Sequence, residues 1–172
     1  MEFFPVLSLI TFLPLIGVLF ILLVRGDEET VSRNARYTAI WTSSATFIVS
    51  LFLWINFDTT TSDFQFVEKI EWIPALNTSY HLGVDGISVF FVLLSTALTP
   101  ICVLASWKSI TKRVREYMIA FLILETMMIG TFVALDFLLF YIFFEGVLIP
   151  MFIIIGVWGG DRRVYSAFKF FL

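Results

Sequence analysis

Cysteine and histidine are almost missing from these 172 residues: there is one of each, Cys102 and His81. One cysteine permits no internal disulfide and no thiolate cluster. A single histidine leaves an all-protein zinc or iron site without its usual donors. Charge is scarce too, at 15% of residues, against roughly 25% in an ordinary soluble domain. The balance of 11 basic and 14 acidic residues gives −3, so there is no overall basic excess to hold nucleic acid or anionic lipid. No glycine-rich phosphate fingerprint follows a strand-like run, and no redox ligand set exists, so NADH and electron chemistry are not expected on this chain. A basic leader is also lacking: Met1 and Glu2 run straight into an apolar stretch, and the first helix is expected to be a mature span.

What is abundant is apolar length. The chain is 59% hydrophobic with a mean hydropathy of +0.95. These values predict an all-α, polytopic membrane protein: a helical bundle of five full transmembrane helices plus a truncated sixth. The expected spans are Phe3 to Val24, Tyr37 to Phe57, Val84 to Ser106, Tyr117 to Leu135 and Leu138 to Trp158, each long enough for a core roughly 30 Å thick. A sixth run, Val164 to Leu172, is too short to cross, which leaves a fragment or a product completed by another polypeptide.

Between the spans, Arg25 to Arg36 reads as a short polar loop and Trp107 to Glu116 as a basic one. Residues 58–83 form the long connection. Within it Phe64, Phe66, Ile70 and Trp72 alternate with Gln65, Lys69 and Glu71, which predicts an extended segment or small hairpin at the membrane surface. Asn77-Thr78-Ser79 fits a glycosylation tripeptide that arises easily by chance. The odd loops carry Arg25, Arg33 and Arg36, then Lys108, Lys112, Arg113 and Arg115, then Arg162 and Arg163; the even loops carry only Lys69. The positive-inside rule therefore turns the odd loops to the inner side and the long loop to the outer.

The chemistry concentrates in Asp136 to Pro150, DFLLFYIFFEGVLIP, where Glu145 stands alone in an apolar helix. A carboxylate in hydrocarbon costs several kcal/mol, so it is either used or heavily compensated. A carboxyl group in such a setting can exchange a proton near neutral pH, which makes Glu145 a proton-relay candidate. The competing role is a permanently protonated acid that donates a hydrogen bond between helices. Tyr141, one turn earlier, shares its face and can orient it, while Pro150 removes a backbone donor and can kink the helix. Glu125 is the lone acid of the preceding span. Both acids lie ten residues from Leu135, so a tight hairpin puts them about 15 Å below one turn. Asp136 reads as a solvated cap at that turn. Lys169 is expected to snorkel toward the inner surface, and His81 to sit in a surface loop.

YHLGVDGISVFFVLL at 80–94, ETMMIGTFVALDFLLFYIFFEGVLIPMF at 125–152, then WGG and AFKFFL, resemble the chain-M family (subunit 4 in mitochondria) of the proton-pumping NADH:quinone oxidoreductases, respiratory complex I. The resemblance implies an antiporter-like subunit with two inverted five-helix repeats, each with a broken helix, and a central line of charged residues that moves protons. It implies that residues 1–116 are peripheral helices 1–3 with an outer-side extended loop, and that 117–172 begin the first repeat. By the same resemblance Glu145 is the essential fifth-helix glutamate and Glu125 the fourth-helix one, both in a proton relay; Tyr141, from its place on the Glu145 face, and Lys169 are further candidates beside them. The lysine that pairs with the fifth-helix glutamate in the family lies beyond Leu172. NADH, FMN, iron–sulfur clusters and quinone are expected in other subunits. Partners implied are other complex I membrane subunits, above all neighbouring antiporter-like ones, the remaining C-terminal part of the subunit, and membrane lipid. The implied location is the mitochondrial inner membrane or the bacterial plasma membrane. Two alternatives stand beside this reading: a subunit of a multisubunit cation/proton antiporter or membrane-bound hydrogenase, and a structural piece that supports assembly only.

Overall fold

The first helix, α1 (Val6–Leu23), has no side-chain cap of its own. The computed structural model describes residues 5–172, so Phe3 and Phe4 of the expected span lie outside the described residues. A carboxylate sixty residues away does the capping: Glu68 accepts from the amides of Leu7 (2.7 Å) and Ser8 (3.2 Å) and from the Ser8 hydroxyl. These amides belong to the first turn, which has no intrahelical partners for them.

The second helix, α2 (Glu28–Asn56), corrects the expected polar loop at 25–36. Asp27 accepts from the Thr30 amide at 3.2 Å, and Glu28 and Glu29 fill the first turn, where the helix dipole favours negative charge. The charges of this segment therefore sit on a helical extension of the span, and Arg33 and Arg36 project from it.

The long connection does form a hairpin. Strands β1 (Gln65–Ile73) and β2 (Thr78–Val84) pair antiparallel, joined by a 3-10 turn at Pro74–Leu76 that Asn77 closes in the left-handed region, φ 51°. A register shift between Gln65 and Glu68, with Phe66 at φ 53°, breaks the expected alternation. Phe66 packs onto the core, whereas Phe64, Ile70 and Trp72 stay exposed.

Three more helices follow: α3 (Ser88–Ala105), α4 (Val114–Val133) and α5 (Phe137–Trp158); a shorter α6 (Arg163–Phe171) leans on α5. Five helices, α1 to α5, are long and apolar enough to cross a membrane. Asp136 caps α5 as expected, accepting from Leu138 (2.9 Å) and Leu139 (3.2 Å), and it also accepts from the Ser79 amide of β2 at 3.0 Å. Leu135 donates to the His81 carbonyl at 2.9 Å, which stitches the α4–α5 turn to the hairpin edge. His81 itself lies on β2 opposite Lys69 rather than in a loop; partial burial, then the lysine charge, hold its pKa below the usual imidazole value.

Helix α4 is the hub, packed against α1, α2, α3 and α5. Two apolar clusters surround it. Leu7, Ile10, Leu53, Val89, Val92, Ile129 and Val133 form one at the hairpin end. Val18, Ile21, Ala35, Ala39, Val103, Met118 and Leu122 form the other at the end of the basic loops.

Candidate proton-relay site

Between those two clusters every helix of the inner bundle turns polar. Thr11 on α1, Ser43, Thr46 and Ser50 on α2, Thr96 and Thr99 on α3, and Glu125 and Thr126 on α4 are all buried. Small hydroxyl side chains let helices approach closely and can still bond across them. Most of these hydroxyls donate to their own helix: Thr11 to Leu7 (2.7 Å), Ser43 to Ala39 (2.8 Å), Thr99 to Ser95 (3.0 Å). Their oxygens keep free lone pairs. Ser50 and Thr96 join α2 to α3 at 2.8 Å.

Glu125 sits in this layer with 0% exposure, and among the described residues neither of its oxygens has a hydrogen-bond partner. The neighbouring Thr126 hydroxyl is also buried and unpartnered. An ionised, unpaired carboxylate costs several kcal/mol in such a setting, whereas a carboxylic acid carries no charge there and has an O–H to donate. Chemically, the layer can hold a proton.

Glu145 has the opposite setting. Helix α5 meets α4 through Phe143 against Gly130 and Gly146 against Met127, where an added Cβ would come within 2.3 Å and 2.7 Å of the facing side chain. Leu139, Phe143 and Pro150 are buried along this seam. Glu145 lies about 100° around the helix from Gly146 and is exposed, as are Tyr141 and Phe144 beside it. Helix α5 runs unbroken through Pro150.

The structure thus brings the two acids to similar depth without bringing them together. The pairs 130/143 and 127/146 set Glu145 level with Met128, about one turn from Glu125 along the axis. Tyr141 and Glu145 share an exposed face. Lys169 does not join them: Gly156 meets Ala167 and Phe152 meets Phe171, which sets Lys169 level with Ile154, nine residues and about 14 Å from Glu145. The glycines at 130 and 146 were a legible signal for the α4–α5 seam. Nothing in the sequence pointed to Glu68 as the cap of α1.

Comparison with known proteins fits this arrangement. A family model described as "NADH-ubiquinone oxidoreductase chain 4, amino terminus" matches residues 7–134. The chain belongs to that family. A second model, "NADH:quinone oxidoreductase/Mrp antiporter, TM", matches residues 134–172, where α5 and α6 lie. The chain is 53% identical over 167 residues to NADH-quinone oxidoreductase subunit M of Rhodobacter capsulatus, covering 96% of this chain and 32% of that protein. It is 50% identical over 172 residues to NADH-ubiquinone oxidoreductase chain 4 of Marchantia polymorpha, covering 99% of this chain and 34% of that protein, and 49% identical to the chain 4 protein of Chondrus crispus. The chain spans about a third of the length of these chain 4 and subunit M relatives.

Proposed function

We propose that this chain acts within a membrane-arm subunit of an NADH:quinone oxidoreductase and that Glu145 relays protons there, coupled to electron transfer carried by other subunits. NADH, FMN, iron–sulfur clusters and quinone belong to those subunits. Residues 117–172 open the first antiporter-like repeat, and helices α1 to α3 with their hairpin form its periphery. The basic ends of the helices face the inner side of an energy-transducing membrane, mitochondrial or bacterial. Neighbouring antiporter-like subunits, the remainder of the subunit and lipid are the partners.

One observation carries the relay reading: Glu145 projects from the middle of α5 on the side that α4 leaves open. Left against lipid, a carboxylate there would cost several kcal/mol. A polar or cationic group from a further helix resolves that cost and gives the proton somewhere to go. Glu125, enclosed within α1 to α4, is the second carrier.

The test is NADH-driven proton uptake into vesicles that contain the assembled complex. Glu145→Gln keeps size and hydrogen bonding but removes the titrating group, so pumping is expected to fall on the order of 100-fold while assembly persists. Glu145→Asp keeps the acid and is expected to retain part of the rate. If Glu145 served only as an interhelical hydrogen-bond donor, Gln would be the better substitute, and wild-type pumping by Glu145→Gln would reject the relay.

A further inference from the structure

Leu82 and Val84 of β2 are fully buried, and they share the apolar cluster at the hairpin end with Leu7 and Ile10 of α1 and Ile129 and Val133 of α4. Ile129 and Val133 stand about 6 Å and 12 Å along the helix from Glu125, on the side of the hairpin. The strand therefore closes the end of the bundle that holds the buried acid.

It is fastened to the helices that it covers. Leu82 forms an antiparallel bridge with Ala134, and Leu135 donates to the His81 carbonyl, so the strand lies directly on the α4–α5 turn. Gly83 leaves no slack there, since an added Cβ would meet the Leu135 side chain at 2.6 Å. On the other side the Tyr80 and Ser8 hydroxyls bond at 2.7 Å, next to the hold of Glu68 on the first turn of α1. The strand ends at Val84, and Asp85 then accepts from the Ser88 amide at 2.7 Å to start α3.

The two ends of the bundle differ in what they offer a proton. Protons cross a protein through hydrogen-bonding groups or water, and buried water is held only where it finds two or more polar partners. Among the described residues, the buried side chains of the hairpin-end cluster carry neither a hydroxyl nor a charge. The opposite cluster includes the Tyr117 phenol, and the Ser106 hydroxyl is buried beside it, donating to the Val103 carbonyl at 2.9 Å. The buried residues at that end all come from helices, with no strand laid across them. Every one of these side chains is enclosed by elements of this chain, so protein packed around the outside leaves them enclosed.

We propose that the hairpin is an outer-side proton seal, which closes the α1–α4 bundle over Glu125 and confines the exchange of its proton to the inner side. The proposal rests on the reading of Glu125 as a proton carrier and on the orientation given above. A carrier open to both sides would let protons run back down their gradient. Dry aliphatic packing under a strand fixed at α1, α3 and the α4–α5 turn prevents that.

The test places Ile129→Cys beneath the seal in the assembled complex and applies a small, membrane-impermeant thiol reagent from the outer side, with labelled peptides mapped by mass spectrometry. The expected result is no label at that position until the complex is unfolded. Adding Leu82→Ser, or the milder Leu82→Ala, should make the position reactive and should raise passive proton entry into the vesicles after an acid pulse without NADH. Adding Glu125→Gln should abolish that extra entry. Outer-side labelling with the hairpin unmutated, no gain of labelling with Leu82→Ser, or a leak that Glu125→Gln leaves unchanged would each overturn the proposal. The first arm needs no hairpin variant, so it decides the matter even where Leu82→Ser fails to assemble. The two readings also fail separately: thiol access reports the seal whatever Glu125 carries, and wild-type pumping by Glu125→Gln would remove Glu125 from the carriers without opening the seal.

Discussion

Glu125 and Glu145 sit ten residues either side of one turn and share little else. The first is sealed in the hydroxyl layer of α1 to α4; the second faces outward from the one long helix that contributes least to the interior. The difference shows that depth along a helix does not determine what surroundings an acid meets. Rotation about the helix axis does, and here two glycines set it. Gly130 admits the Phe143 ring and Gly146 admits Met127, and this pins the Glu145 side of α5 away from α4. An acid closed off within its own bundle can store a proton, and one at an open face can pass it on.

Several changes would break or sharpen that contrast. The largest effect is expected at Glu145 itself, through the loss of pumping described above. Next comes Gly130→Ala: the new Cβ would stand 2.3 Å from Phe143, so the ring must move or α5 must rotate. A loss of about 1–3 kcal/mol is expected, read as reduced complex yield or a lower thermal midpoint in detergent, with pumping per assembled complex reduced as Glu145 turns. An unchanged Gly130→Ala complex would mean that the seam does not set the position of Glu145.

A smaller effect is expected at the hairpin end. Glu68→Ala removes acceptors for the amides of Leu7 and Ser8 and for the Ser8 hydroxyl. A loss of about 1–3 kcal/mol is expected, seen as faster hydrogen exchange in the first turn of α1 with both acids unaffected. The smallest concerns Asp136, whose carboxyl is held below its usual value first by the Ser79 amide and then by those of Leu139 and Leu138. A lowered folded value means that the contribution is complete above the unfolded pKa and disappears as pH falls through the folded one. Exchange at Ser79 should therefore accelerate only below about pH 4, and Asp136→Asn should show that faster exchange already at neutral pH.

Much of the architecture was legible because membrane solvation is a strong constraint. Apolar runs gave the five spans, alternation gave the hairpin, and Asp136 read as a cap at a two-residue turn. The start of α2 is hidden by its charge, which suggests a loop, although Asp27 followed by Glu28 and Glu29 is a helix-start pattern. The capping role of Glu68 is not legible because its partners lie sixty residues away, and local pattern carries no such information. For the site, the presence and depth of both acids came from spacing alone. That they point apart followed only once the seam was known.

The most direct test sets the two acids side by side: NADH-driven proton uptake by vesicles with Glu125→Gln or Glu145→Gln complexes, normalised to assembled subunit. Glu145→Gln is expected at background and Glu125→Gln at a clearly measurable fraction of the wild-type rate. The reverse order, with Glu125→Gln silent and Glu145→Gln pumping, would contradict the division of roles between the enclosed acid and the open one.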